Sequence, residues 1–120
     1  MNRSRNEVKY RNKLGILYAR YGLLEKAVGE FKAVTARRNY VPALINLGNV
    51  YYLKDDMQQA LRYYQAALQV KPDSSTALLG VARASYRLDD YDTVNTSLAQ
   101  LEHESPEMAA KFSYLGSGGS

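Results

Sequence analysis

The chain repeats itself, and the period of the repeat limits what it can fold into. Leu47-Gly48-Asn49-Val50-Tyr51 is followed by Ala60, Tyr64, Ala67 and Pro72. Thirty-three residues earlier stand Leu14, Gly15, Tyr18, Ala27, Phe31 and Val34, with Asn39 at the Pro position. Thirty-four residues later a weaker copy reads Val81, Ala82, Ser85, Val94, Leu98, Leu101 and Pro106, and a fourth begins with Phe112, Leu115 and Gly116. A unit of this length is one pair of helices. It cannot bury its apolar face alone, so successive units stack into a solenoid.

Local signals divide the chain into seven helices. Ser4-x2-Glu7 has capping-box spacing and places the first start near Asn6, after a lead-in at 1–7. Leu14, Leu17, Tyr18 and Tyr21 recur at helical spacing as far as the break at Gly22. The second helix, about Leu24 to Arg38, carries Ala27, Val28, Phe31 and Val34. The third starts at Pro42, where a missing N–H costs nothing. Asp55-x2-Gln58 is read as the cap of the fourth, which ends at Val70. The fifth spans about Ser74 to Leu88. Asp89, Asp90 and Asp92 favour the start of the sixth through the helix dipole, and it ends near Glu102. Ser105-Pro106 opens a seventh through Leu115. Repeats at about 8–40, 41–74 and 75–108 follow, with a partial fourth or capping helix at 106–116 and a flexible tail at 117–120. The apolar face of helix six, with Val94, Leu98 and Leu101, requires a cover. Helix seven is expected to pack on it as a lid or to pair with a second copy, giving weak self-association.

Composition narrows the function. The chain has no cysteine, which excludes a disulfide framework and thiolate metal sites. No apolar run approaches the ~20 residues of a membrane span. Met1-Asn2-Arg3-Ser4-Arg5 leads into a polar helix and not an apolar signal core, which leans the location toward the cytoplasm. The net charge of +4 divides unevenly. Residues 1–40 hold ten Lys/Arg and three Asp/Glu, and residues 41–120 hold six and nine. One end of the solenoid is therefore basic and suits an acidic ligand or neighbour. The single histidine, His103, lies between Glu102 and Glu104 and reads as an exposed turn residue. Without a nucleophile motif, phosphate loop or metal spacing, no enzyme and no cofactor are expected.

Leu44-x2-Leu47-Gly48-x2-Tyr51, with Ala60, Tyr64 and Pro72, resembles the tetratricopeptide repeat, and the resemblance extends over about 8–116. It implies an all-α, right-handed superhelical solenoid of antiparallel helix pairs. Gly15, Gly48, Ala82, Ala27 and Ala60 would sit at helix crossings, with Tyr18, Tyr51, Phe31 and Tyr64 filling grooves between pairs. Arg11 departs from the pattern, where an aromatic is preferred, and would lay its stem on the core with its head wet.

The resemblance also implies a protein–protein interaction module, a scaffold or adaptor, whose first helices line a concave groove. Repeat phase then puts Lys9, Asn12, Lys13 and Arg20, Asn46, Asn49 and Tyr52, and Arg83, Tyr86 and Arg87 on that face, beside Ile16, Ala19, Ile45, Leu53, Leu79 and Gly80. No Asp or Glu is expected there. An asparagine amide can pair with both the C=O and the N–H of an extended peptide, and Arg can hold a carboxylate bidentately. The expected ligand is thus a protein segment, preferably acidic. The match to the family's chaperone-binding carboxylate clamp is incomplete. Asn46 fits its middle asparagine, but Asn12, Ile16, Thr76 and Gly80 stand where the clamp has Lys, Asn, Lys and Arg. The alternatives are a self-assembling repeat domain of a larger protein and an RNA-binding helical repeat. Against RNA, pentatricopeptide repeats keep a 35-residue period.

Overall fold

Three left-handed residues at the repeat period set the hairpins. Gly22, Asp55 and Asp89 have φ of 75°, 63° and 61°, a conformation that glycine adopts freely and Asp tolerates better than most. Each lets the chain close the same helix-ending bond. The N–H groups of Leu23, Asp56 and Asp90 donate to the carbonyls of Tyr18, Tyr51 and Ser85, each at 2.9 Å. The computed structural model of the chain describes residues 2–117, and side chains from residue 6 to residue 116. Among them are seven α-helices, a terminal 3-10 turn and no strand.

The helices are α1 (Asn2–Arg20), α2 (Leu24–Thr35), α3 (Val41–Leu53), α4 (Met57–Val70), α5 (Ser75–Arg87), α6 (Tyr91–Glu104) and α7 (Pro106–Lys111). They stack as antiparallel pairs, α1 with α2, α3 with α4 and α5 with α6, into an elongated body of 49 × 27 × 20 Å. Several boundaries differ from the sequence reading. Helix α1 begins at Asn2, so Ser4 and Glu7 lie within it and not at its cap. Helix α2 stops at Thr35, three residues before Arg38. The cap of α4 is Asp56, whose carboxylate accepts from the Gln59 N–H at 3.2 Å. Asp55 is instead the left-handed residue before it. Asp90 does the same work for α6, accepting from the Thr93 N–H at 3.2 Å and its hydroxyl at 2.6 Å. Those two bonds hold its carboxyl below the usual range. Leu23, at the equivalent place before α2, offers no side-chain cap.

Packing follows the repeat. The ring of Phe31 lies on Gly15, where an added Cβ would fall 2.5 Å from it. Tyr64 lies between two glycines, Gly48 of its own pair and Gly80 of the next, each with a would-be Cβ 2.6 Å from the ring. Gly80 was placed on the groove by repeat phase. It is buried, because the Tyr64 ring fills the space between α3 and α5. Ala27 and Ala60 are fully buried at the crossings. Tyr51 stacks on Tyr63 at 5.6 Å, with Lys32 5.9 Å from its centroid. Arg11 meets Glu30 of α2 at 3.1 Å and Glu7 at 3.6 Å, so its head is paired as well as half-exposed. Leu17 of α1 is 46% exposed, and Tyr21, in the turn after it, is 75% exposed. The expected apolar face is only partly covered.

Helix six does acquire its lid from the same chain. Ala109 packs with Leu78 and Leu101, and Leu115 with Ala82 and Val94. The expected helix through Leu115 breaks at Phe112 into the turn Ser113–Ser117. At about 100° per residue, an unbroken helix would turn Ala109 and Leu115 about 120° apart. The break lets both face the body. The tail at 118–120 and Met1 lie outside the described residues.

Candidate functional site

The first helices α1, α3 and α5 lie side by side, and the contacts between them decide which expected groove residues remain free. The repeat brings like positions together. Asn12 and Asn46 stand 34 residues apart, and the Asn46 amide donates to the Asn12 carbonyl at 3.0 Å. Asn12 is buried by this contact and does not face the groove as expected. The Asn49 carbonyl accepts from the Tyr64 hydroxyl at 2.5 Å, which leaves its amide N–H groups exposed at the surface. Burial pushes the Tyr64 hydroxyl up to about 12, against a smaller lowering by Arg83 nearby.

Between α1 and α3 opens a pocket of about 280 Å³. Ile16, Ala19, Phe31, Val50 and Leu53 give it apolar walls, and Asn46, Asn49 and Arg20 supply its polar atoms. Phe31 and Val50 line it although both are buried in the core, and the groove positions expected from repeat phase do not include them. The signal was available: Phe31 stands where the next repeat has Tyr64, and a phenyl ring has no hydroxyl to bond the inner helix. Lys9 and Lys13 lie about one turn apart along the exposed side of α1, and Arg20 lies about two turns further on, with Ile16 and Leu17 between. None of the three forms an ion pair among the described residues. The three acids of the basic half are already used: Glu7 by Arg11 and Arg37, Glu30 by Arg11, and Glu25 by Lys54.

Toward α5 the face changes character. Arg83 and Arg87 both sit over the ring of Tyr52, with guanidinium carbons 4.9 and 5.5 Å from its centroid. Arg87 also reaches Asp55 at 2.5 Å. The Tyr52 hydroxyl first, then Asp55, push Arg87 above its ordinary value. An acid therefore does stand on this face, contrary to the expectation, because the left-handed turn at residue 55 swings its carboxylate across to α5. Tyr86 points elsewhere. It meets Tyr91 edge-on at 5.9 Å and packs against the cluster of Ala82, Val94 and Leu115. The ten expected groove residues thus separate into an apolar pocket with cations at the α1 edge, a tyrosine-centred arginine pair on α5, and two residues, Asn12 and Tyr86, spent on packing. Among the described residues no cluster of His, Asp or Glu could hold a metal, and no helix is long and apolar enough to cross a membrane.

Residues 41–74 match the tetratricopeptide repeat family model. The chain is a tetratricopeptide-repeat domain. The pair before the matched repeat carries the same glycine–aromatic contact, and both flanking pairs carry the same hairpin turn. The chain is 30% identical over 83 residues to tetratricopeptide repeat protein 8 of Caenorhabditis elegans, covering 69% of this chain and 16% of that protein. The mouse protein of that name is 28% identical over 90 residues, covering 75% and 16%. The domain thus spans about a sixth of the length of these curated relatives. Among solved structures, PcrH from Pseudomonas aeruginosa superposes with a TM-score of 0.85 at 16% identity, over 94% of this chain and 91% of that one. MamA superposes at 0.78 and 18% identity, over 92% and 70%. At these identities the likeness establishes the fold alone, a stack of helical repeats.

Proposed function

We propose that the domain binds an extended, acidic segment of a partner protein along its inner face, with an apolar side chain of that segment seated between α1 and α3. The observation that carries this reading is the juxtaposition at the α1 edge. An apolar pocket of about 280 Å³ is bordered by Arg20, with Lys13 and Lys9 along the same helix, and these cations have no ion-pair partner among the described residues. A ligand that brings carboxylates neutralises charge that the free domain leaves to solvent. An apolar anchor gains burial that the open pocket lacks. The free N–H groups of the Asn49 amide can take a backbone carbonyl of the segment.

The groove of three repeats is short, and its charges are exposed. Affinity near the micromolar range is expected, roughly −8 kcal/mol, and it should weaken with salt because the Debye length is ~8 Å at physiological ionic strength. Selection of random peptides on the immobilised domain tests the reading. Enriched sequences should place an apolar residue beside Asp or Glu. Their binding should weaken with added salt and fall on Arg20→Glu and Asn49→Ala, while both variants keep the helical spectrum of the wild type. Selected peptides that ignore salt and both substitutions would move the site to the convex side or an edge.

A further inference from the structure

Resting on that reading of the inner face, we infer that Arg83 and Arg87 over Tyr52 form a carboxylate-reading subsite, in which Asp55 stands in for the ligand's own acid and restrains the affinity of the free domain. Four features carry the assignment. Arg83 and Arg87 are one turn apart on α5, so their heads emerge on one side of the helix. Both heads lie within 5.5 Å of the centroid of one ring, that of Tyr52, which gathers two like charges in one place. Only one of those charges is matched: Asp55 takes Arg87 at 2.5 Å, while Arg83 has no carboxylate among the described residues. Finally, Asp55 is held at φ 63° by the hairpin, so it is delivered to Arg87 by the backbone of the turn and not by a flexible excursion of a helix side chain.

Charge arithmetic then names the ligand. Two guanidinium groups and one carboxylate leave a single positive charge, centred on Arg83. That suits one Asp or Glu side chain of a protein segment, held by Arg83 and shared with Arg87. A phosphoryl dianion would bring more negative charge than the cluster leaves unmatched, unless Asp55 withdrew. Removing the Asp55 charge should therefore raise affinity for carboxylates, and for dianions most of all. A merely structural Asp55 predicts the reverse, since its loss would release Arg87.

The test titrates the domain with N-acetyl tetraglutamate amide and with inorganic phosphate, following the side-chain Nε–H resonances of Arg83 and Arg87 by NMR. Tetraglutamate has no apolar anchor for the α1–α3 pocket, and the Arg83 and Arg87 resonances report on the arginine pair even where the α1 cations also attract it. Peptide selection reports on the α1–α3 pocket, and the two readings can fail separately. Wild type should show saturable shifts of both resonances with tetraglutamate. Arg83→Gln should abolish the saturation. Asp55→Asn should tighten tetraglutamate by roughly two- to fivefold, the range that one exposed ion pair accounts for, and should tighten phosphate by at least as much. Asn is the residue other than glycine best suited to a left-handed turn, and Asp55→Gly serves as a second variant free of backbone strain. Unchanged or weaker tetraglutamate binding in both variants would overturn the stand-in role. Shifts no larger than those caused by sodium acetate at equal carboxylate concentration would overturn the subsite itself.

Discussion

Gly80→Ala isolates the contact that registers one repeat on the next. Two effects oppose each other. Alanine is the better helix former by about 1 kcal/mol, so the change would stabilise α5 if its surroundings were open. They are closed. The new Cβ would lie 2.6, 2.6 and 2.7 Å from three ring carbons of Tyr64. That ring cannot retreat, because Gly48 meets it on the α3 side and Tyr64 is only 3% exposed. Its hydroxyl is tied to Asn49 as well. Overpacking of this kind costs roughly 1–3 kcal/mol, and with no room to relax the upper part of that range applies. The net expectation is a loss of about 1–2 kcal/mol after the propensity gain. Gly29→Ala supplies the matched control. Gly29 is a glycine inside α2, exposed, with nothing within 4 Å of its would-be Cβ. It should gain up to about 1 kcal/mol. Urea titrations followed by circular dichroism at 222 nm would compare the two variants with wild type. The predicted signs are opposite. If Gly80→Ala stabilises as Gly29→Ala does, Tyr64 does not hold α5 against α3, and the account of repeat stacking fails.

Other expectations follow from single residues. Leu23→Asp should add the cap that Asp56 and Asp90 supply in the later repeats, raising stability by about 1 kcal/mol; a lower melting temperature would count against the shared hairpin geometry. Ser85→Ala should stabilise by about 1 kcal/mol, since the Ser85 hydroxyl is buried without a hydrogen-bond partner among the described residues, and a destabilised variant would reveal a bond to it. Tyr64 is held up to about 12 from an ordinary 10, so the folded state keeps a proton that the unfolded chain gives up. Its contribution is present below pH 10 and is lost as pH rises toward 12. Tyr64→Phe should flatten that part of the alkaline stability profile relative to wild type, and identical slopes would refute the assignment. Truncation after Glu104 should expose Leu78, Leu101, Ala82 and Val94 and raise aggregation, read by light scattering; an equally soluble monomer would show that the lid is dispensable.

Much of this was legible in the sequence because the period carries it. The pairing of Gly15 with Phe31 and of Gly48 with Tyr64 follows from small and large residues recurring in phase. What escaped were contacts that need a second repeat. Gly80 aligns with Asn46, and repeat phase alone puts both on the groove. A glycine in the middle of a helix costs about 1 kcal/mol and so implies a packing reason, which here is the Tyr64 ring. Asp55 was read as a cap because Gln58 follows it at capping-box spacing. Its alignment with Gly22 and Asp89 marks it instead as the left-handed residue, and only that geometry carries its carboxylate to Arg87. Helix α7 stops at Phe112 for a tertiary reason, the separate clusters that receive Ala109 and Leu115, and local sequence holds no sign of them.

The inner face is both the ligand surface and part of the seam between repeats, and this double use decides where affinity can come from. A peptide carbonyl that takes the Asn46 N–H now given to Asn12 must first break that bond. Exchanging one neutral hydrogen bond for another yields little, since each is worth only about 1 kcal/mol net. Asn49 differs, because its carbonyl is held by Tyr64 while its N–H groups stay open, so a ligand carbonyl adds a bond without removing one. The same reasoning separates the cations. Arg87 offers a ligand only what Asp55 gives up, whereas Arg20, Lys13 and Arg83 have no such partner to lose. Substitution at Asn49, Arg20 or Arg83 should therefore weaken binding more than substitution at Asn46 or Arg87. Asn46→Ala should instead register mainly as lost stability, because it leaves the side-chain carbonyl of buried Asn12 without its donor between α1 and α3.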